Sequence, residues 1–179
     1  MTRLQALNPE TTTGKTKELF NQVQSKLGTV PNMMRTMGNA DAVLEGYLNL
    51  SGALSKGKLG GKTGELIALA VGESNECHYC VAAHTYIGEK LLKTDIATIE
   101  AARLGKSEDS KIKAILQFAK TLVAKSGRIN DEDVDSAKKA GVSDEEISEI
   151  VAHVALNVLT NYFNNTANTL VDFPAVATV

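Results

Sequence analysis

The stretch ELIALAVGESNECHYCVAAHT, residues 65–85, contains both cysteines of the chain and one of its three histidines. Its first half is rich in Ala and Leu, which favour helix, and it follows the glycine-rich GKLGGK. We therefore predict a buried helix here. After the turn GESNE, a second helix is expected from about Cys77 to about Leu91. The two cysteines then lie at the start of that second helix.

The rest of the chain also has the pattern of helices separated by glycines. The clearest case is the last helix, where Ser143 and Glu146 stand at capping-box spacing before a long apolar stripe of helical period. No segment alternates as a strand. Nine helices are predicted, with these boundary markers: Gly28 after the first, Pro31 at the start of the second, Asp41 and Ser55 around the third, Thr94 or Asp95 before the sixth, Gly127 after the seventh, and Asn130 and Gly141 around the eighth.

These patterns predict an all-α fold. The long interval between Pro31 and Pro174 contains no proline to break a helix, and 179 residues suit one domain with a substantial core. We expect a single domain over residues 1–179, with the motif and its flanking helices at about residues 60–92.

A weak internal repeat accompanies this pattern. Shifting the chain by 84 residues lays the stretch from Glu65 over EIVAHVALNVLTNYFNNTANT, which begins at Glu149, with four matches in 21 positions. Such a match is only suggestive of an ancient duplication. The shift places three asparagines opposite the motif: Asn161, Asn164 and Asn168 align with Cys77, Cys80 and His84.

Composition narrows the classes of function. The chain has 19 basic and 21 acidic residues, for a formal charge of -2, and no sustained basic tract, so we do not expect a nucleic-acid partner. No apolar run is long enough for a membrane span, and the beginning of the chain lacks the apolar core of a signal peptide. We expect a soluble, unprocessed, cytoplasmic protein. Two cysteines in such a protein favour redox or metal chemistry over a structural crosslink.

The spacing of the motif brings three reactive side chains together. Residues three, four and seven positions apart share one face of a helix, so Cys77, Cys80 and His84 can reach one small volume. A thiolate is a nucleophile, and either a nearby imidazole or a helix N-terminus can help to form one. His84 would serve Cys80, whereas the helix start would favour Cys77. These local arguments do not decide which sulfur reacts.

Two other interpretations of the motif stay open at this point. Both cysteines could be inert core residues, because free cysteine is among the most buried residue types. Alternatively, Cys77, Cys80 and His84 could bind zinc with His78 or a carboxylate as the fourth ligand, although the second ligand pair of a typical zinc site is missing. The remaining histidine, His153, lies beside the apolar stripe of the last helix and is expected to be a core or edge residue.

The order and spacing of four residues resemble a known family. Glu65, Cys77, Cys80 and His84, in the setting quoted above, resemble the alkylhydroperoxidase AhpD core of the carboxymuconolactone decarboxylase superfamily. Weaker likeness to the peroxidase-related branch extends to two flanking stretches, LGTVPNMMRTMGNADAVLEGYL before the motif and TNYFNNTANTLVDFP after it. Most of the chain is covered.

This resemblance implies an all-helical homo-oligomer and a thiol peroxidase that needs no haem, flavin or metal cofactor. Its substrate would be a hydroperoxide, and a thiol or dithiol partner would supply the electrons. Carried over by position, Cys80 attacks the peroxide, Cys77 resolves the sulfenic acid to a disulfide, His84 takes the thiol proton and Glu65 supports His84. The chain departs from the founding members at Tyr79, where they tend to have histidine. The spacing of three at a helix start also lets the sulfurs approach, so we predict a reversible disulfide.

Two points remain open at the level of sequence. Glu73 and Glu76 are nearer to the motif and compete with Glu65, which could instead be a solvated residue in the first turn of its helix. In function, the alternative to a peroxidase is a redox sensor or a dithiol electron carrier without efficient peroxidase turnover. Decarboxylation of a muconolactone is not expected, because that branch of the superfamily generally lacks the cysteine pair.

Overall fold

The computed structural model describes residues 1–177 and 179 and confirms the predicted all-α class. Within those residues there is no β-strand. No helix in this part of the chain is both long and apolar enough to cross a membrane. The α-helices are α1 (Gly14–Leu27), α2 (Asn32–Met37), α3 (Asp41–Leu54), α4 (Gly60–Ser74), α5 (His78–Tyr86), α6 (Ile96–Arg103), α7 (Ser110–Ala124), α8 (Asp131–Lys139) and α9 (Asp144–Ala167).

Helix α4 is the centre of the larger hydrophobic core. It packs against α5, α6, α7 and α9, and its residues are continuously buried from Leu66 to Gly72. A helix enclosed on all sides must be apolar all round, which explains its run of Leu, Ile, Ala and Val. Ile115 and Leu116 from α7 and Ile150 from α9 are among its fully buried neighbours in this core.

A second core joins the first three helices to the start of α5. Phe20 of α1, Met37 of α2 and Leu44 of α3 are buried there together with Cys77 and Cys80. The cysteines are therefore packed on one side by the N-terminal helices, while α5 also packs against α4 and α9. This arrangement encloses the motif in protein on several sides.

The predicted helix starts are confirmed at the three clearest positions. The side chains of Asn130 and Ser143 form capping boxes at α8 and α9, each accepting a hydrogen bond from a backbone N–H in the first turn. At α6 the capping residue is Asp95, whose carboxylate accepts from the backbone N–H of Thr98 at 2.8 Å. Thr94, the other predicted candidate, precedes this cap.

One predicted helix boundary differs from the structure, and the internal repeat is matched only in part. The fifth helix ends at Tyr86 and continues as a wider π-helical turn over Ile87–Leu91. Under the 84-residue shift, the start of α4 at Gly60 falls on the start of α9 at Asp144, but α9 is continuous where the aligned stretch breaks between α4 and α5. The break is at Glu76, whose φ of 51° is in the left-handed region and takes the chain out of the helix.

Candidate dithiol site

The turn between α4 and α5 positions the first cysteine. The backbone N–H of Cys77 donates to the carbonyl of Gly72 at 2.9 Å, which ties the start of α5 to the end of α4. The sulfur of Cys77 then caps α5, accepting a hydrogen bond from the backbone N–H of Cys80 at 3.3 Å. Cys77 thus occupies the helix start that the sequence predicted, with a backbone donor directed at its sulfur.

The two sulfurs are bonded to each other in the structure, and the Cα atoms of Cys77 and Cys80 are 5.3 Å apart. Both residues are buried, with 0% and 2% of their surface exposed. The chain has no other cysteine, so this pair is its whole thiol chemistry. That the bond is reversible stays a prediction.

The structure brings His84 and Glu65 together across α5 and α4. The Nδ1 atom of His84 lies 2.6 Å from Oε2 of Glu65, and about a fifth of each side chain is exposed. Burial acts to lower the pKa of His84, but the charge and hydrogen bond of Glu65 outweigh it and raise the pKa above its ordinary value. Among the described residues the hydrogen bond of this ring is made through Nδ1.

The two carboxylates that the sequence left as alternatives to Glu65 do not contact His84. Glu73 accepts a hydrogen bond from the buried guanidinium of Arg103 at 2.8 Å. Glu76 is exposed at the turn and makes no ion pair in the described part of the chain. Of the three carboxylates considered from the sequence, Glu65 is the one in contact with His84.

The other two histidines form no hydrogen bond with Glu65 or His84 among the described residues, although the charge of Glu65 acts on His153. His153 is buried on α9 against Gly64, and burial lowers its pKa, so it agrees with the predicted core position. His78 is exposed at the start of α5. Among the described residues, no group of three or more His, Cys, Asp or Glu side chains is placed to hold a metal ion.

Helix α9 contributes a set of asparagines that sequence analysis did not assign to the site. These residues are Asn161, Asn164 and Asn165. The Nδ2 atom of Asn164 donates to the sulfur of Cys80 at 3.3 Å. Asn161 accepts from the side chain of Asn75 at 2.9 Å, and Asn165 donates to the backbone carbonyl of Asn75 at 3.0 Å. The only signal in the sequence was the 84-residue shift, which predicts no such contact.

Tyr79, between the cysteines, contacts the C-terminal segment, which we define as residues 170–177. Its hydroxyl donates to Oδ1 of Asp172 at 2.8 Å and accepts from the backbone N–H of Met33 at 3.1 Å. Its ring packs edge-on against Phe173, with 5.7 Å between centroids. Burial, reinforced by the charge of Asp172, raises the pKa of Tyr79 well above its ordinary value. Tyr79 is therefore placed as an anchor and not as a proton relay.

Comparison with known proteins agrees with this architecture. Residues 41–121, which contain all four predicted site residues, match the carboxymuconolactone decarboxylase family. A crystal structure from Ralstonia eutropha JMP134, described as an alkylhydroperoxidase AhpD core and an uncharacterized peroxidase-related protein, superposes with a TM-score of 0.85 at 25% identity, over 96% of this chain and 92% of that one. These findings support the assignment of the chain to the AhpD and carboxymuconolactone decarboxylase superfamily.

Two further structures share this AhpD-like fold. An uncharacterized peroxidase-related protein from Silicibacter sp. TM1040 has a TM-score of 0.80 and 23% identity, covering 94% of this chain and 91% of that one. The debrominase Bmp8, solved as a cysteine-to-alanine variant in complex with 2,3,4-tribromopyrrole, has a TM-score of 0.77 and 20% identity, covering 96% and 90%. No protein of curated function matches the chain significantly in sequence.

Proposed function

We propose that the protein is a thiol-dependent peroxidase that reduces hydroperoxides through the dithiol and disulfide forms of Cys77 and Cys80. The observation that carries the proposal is the bond between the two sulfurs within one turn. His84 follows Cys80 by four residues, and the carboxylate of Glu65 contacts its ring at 2.6 Å. The proposal includes a cytoplasmic homo-oligomer that uses a thiol or dithiol as its electron donor. The match of residues 41–121 to the carboxymuconolactone decarboxylase family supports the enzyme class.

In the first step, Cys80 attacks the hydroperoxide. His84 accepts the thiol proton, and the thiolate displaces the alcohol from the peroxide by forming a sulfur–oxygen bond. The proton passes to the leaving alkoxide, so the products are the alcohol and a sulfenic acid on Cys80. Glu65 supports this step by fixing the ring through Nδ1, which leaves Nε2 for the proton. The hydrogen bond from Asn164 supports Cys80 as the attacking sulfur, because it stabilises negative charge there.

In the second step, the thiolate of Cys77 attacks the sulfur of the sulfenic acid. Hydroxide leaves and takes up a proton to give water, and the two cysteines form the disulfide. Two reducing equivalents from an external thiol or dithiol then restore both cysteines. The overall reaction consumes one hydroperoxide and two thiol groups and yields one alcohol, one water and one disulfide.

The proposal is tested by following hydroperoxide consumption with an excess of dithiothreitol. The wild type should consume many equivalents of peroxide per chain, and Cys80→Ser should be inert. Cys77→Ser should consume one equivalent and accumulate a trappable sulfenic acid on Cys80, without turnover unless the reductant attacks that sulfenic acid directly. Equal or faster formation of a sulfenic acid on Cys77 in the Cys80→Ser protein would reverse the roles of the two sulfurs.

Two outcomes would replace the proposed activity with another. Oxidation that stops after one equivalent in the wild type, with excess reductant present, would favour a redox sensor or an electron carrier. Tribromopyrrole, the compound bound to the Bmp8 variant, provides a comparison substrate in the same assay. Release of bromide without consumption of hydroperoxide would also contradict a peroxidase.

A further inference from the structure

Neither sulfur of the candidate site is accessible in the described structure. Cys77 is 0% exposed and Cys80 is 2% exposed, and both lie in the second core, between the first three helices and α5. A hydroperoxide or a thiol reductant is larger than a water molecule. Some part of the protein must therefore move before either reagent can reach the dithiol.

The C-terminal segment covers this core where α5 begins. Phe173 packs against the second core. Its ring centroid lies 5.7 Å from that of Tyr79 and 5.8 Å from that of Tyr86. Tyr79 stands between the two cysteines in the chain. The segment is thus fixed directly to the turn that carries both sulfurs.

The segment is held mainly through side chains. In the described part of the chain, none of its backbone groups is bonded to another backbone group. Asp172 accepts hydrogen bonds from the hydroxyl of Tyr79 and from the backbone N–H of Asn32, each at 2.8 Å. Two backbone carbonyls of the segment accept hydrogen bonds from side chains, those of Leu170 and Ala177. The segment can therefore leave Tyr79 without breaking the backbone hydrogen bonds of any helix, and elements held in this way open locally more often than helices do.

The packing behind the segment is also incomplete. A cavity of about 500 Å³ lies between the segment and the start of α5. The residues that line it include the polar side chains of Glu73, Glu76 and His78 and, from the segment, those of Val171, Phe173 and Val176. Because the segment borders open space over part of its length, detaching it breaks fewer dispersion contacts than moving a packed helix would.

We propose that the C-terminal segment acts as a strap over the dithiol, and that it detaches from Tyr79 before a reagent reaches either sulfur. The proposal rests on the function proposed above in taking the dithiol as the reactive site, and it adds the step that controls access. The rate of a reaction at the sulfurs is then the rate in the open form multiplied by the fraction of molecules that are open. Weaker anchors therefore give a faster reaction, whichever reagent is used.

The test measures reduction of the disulfide, so it does not depend on any reaction with peroxide. Full-length protein is oxidised with diamide and treated with dithiothreitol, which becomes a cyclic disulfide while Cys77 and Cys80 become thiols. Acid stops the exchange, the reductant is removed, and the new thiols are alkylated after denaturation and counted by mass spectrometry. Each rate is divided by the rate of the same protein in denaturing urea, where the segment covers nothing.

Two substitutions in the segment weaken its anchors. Asp172→Ala removes the acceptor of two hydrogen bonds, and Phe173→Ala removes the ring contacts. Each should raise the normalised rate about three- to tenfold, because a hydrogen bond to an exposed carboxylate or an aromatic pair favours the closed form by a factor of that order. Asp135→Ala, a matched substitution at an exposed position on α8, should leave the rate unchanged. An unchanged rate in either segment variant would overturn the proposal and would place the entrance elsewhere, such as at the partly exposed ring of His84.

A second control separates opening of the segment from unfolding of the whole chain. Ile115 is fully buried on α7 in the larger core, so Ile115→Val should lower the free energy of unfolding without altering the segment. Its normalised rate of reduction should stay at the wild-type value. An acceleration as large as that in Asp172→Ala would mean that global unfolding exposes the sulfurs, and would overturn the proposal. Accelerated reduction in the segment variants of a protein without peroxidase turnover would reject only the proposed function.

Discussion

Removal of the Asn164 side chain tests whether α9 takes part in the chemistry of Cys80. In a Cys77→Ser background, where Cys80 is the single thiol, Asn164→Ala deletes the donor that lies 3.3 Å from its sulfur. A hydrogen bond to a charged group stabilises that group by about 1.5–3 kcal/mol. The lower end of this range applies here, because the contact is long and the charge of a thiolate is spread over a large sulfur atom. About 1.4 kcal/mol corresponds to a tenfold change in an equilibrium. We therefore expect the thiolate population of Cys80 at neutral pH to fall about tenfold.

The assay is the rate of alkylation of Cys80 by iodoacetamide as a function of pH. Its midpoint should move up by about one pH unit in Asn164→Ala, with the full rate recovered at high pH. Asn21→Ala, the same substitution at an exposed position on α1, should leave the midpoint unchanged. An unchanged midpoint in Asn164→Ala would refute the reasoning. A loss of the maximum rate at every pH would instead indicate that Asn164 acts on the structure of the site.

The fold should tolerate this substitution. The Oδ1 atom of Asn164 is buried and has no hydrogen-bond partner in the described structure. Its removal therefore relieves an unfavourable burial that partly offsets the small cavity left behind. We expect the free energy of unfolding, measured with urea, to change by less than about 1 kcal/mol. A larger loss would make the alkylation result hard to assign to charge alone, so both measurements are made on the same protein.

Further predictions at Glu65 and Tyr79 rest on the structure, and the last, on the oligomeric state, rests on the family resemblance. Glu65→Gln removes the charge that raises the pKa of His84, so the imidazole should lose its proton at lower pH, which NMR titration of the ring checks. The acid limb of the peroxidase rate should then move to lower pH, and the maximum rate should fall. The contact between His84 and Glu65 adds to the free energy of unfolding fully below the ordinary pKa of histidine, and this contribution is lost as pH rises through the raised pKa of His84. Glu65→Gln should abolish this pH dependence. Tyr79→Phe leaves the Asp172 carboxylate and a backbone N–H short of a partner and should lower the free energy of unfolding by about 1–3 kcal/mol, whereas exposed Tyr162→Phe should not. Sedimentation velocity should show an oligomer, and a clean monomer would contradict that expectation.

The parts of the fold that could be predicted are those encoded locally. The capping boxes at Asn130 and Ser143 and the apolar stripes act within one or two turns, so they fix helix starts without knowledge of packing. The π-helical turn at Ile87–Leu91 was not predicted, because a wider turn leaves no mark in the period of so short a stretch. The break at Glu76 was also not predicted to separate the two aligned stretches, because a single left-handed residue interrupts one of them and not the other.

The residues of the candidate site also differ in how far the sequence alone could predict them. Cys77, Cys80 and His84 were grouped from their spacing, because the first caps α5 and the other two lie on it; that they act together stays a prediction. Glu65 lies on a different helix, and only the family resemblance singled it out from nearer carboxylates. The contact of Asn164 with Cys80 depends on how α9 packs across α5. No local pattern encodes that geometry, so it required the three-dimensional structure.

The bond between Cys77 and Cys80 joins residues only three positions apart. A crosslink that closes so short a loop restricts the unfolded chain much less than one that joins distant segments. We expect that forming or breaking it changes the connectivity within one helical turn and leaves the contacts between the other helices in place. In this respect the turn resembles a bound two-electron redox group more than a structural crosslink, because the surrounding helices can stay folded while the two sulfurs are oxidised and reduced.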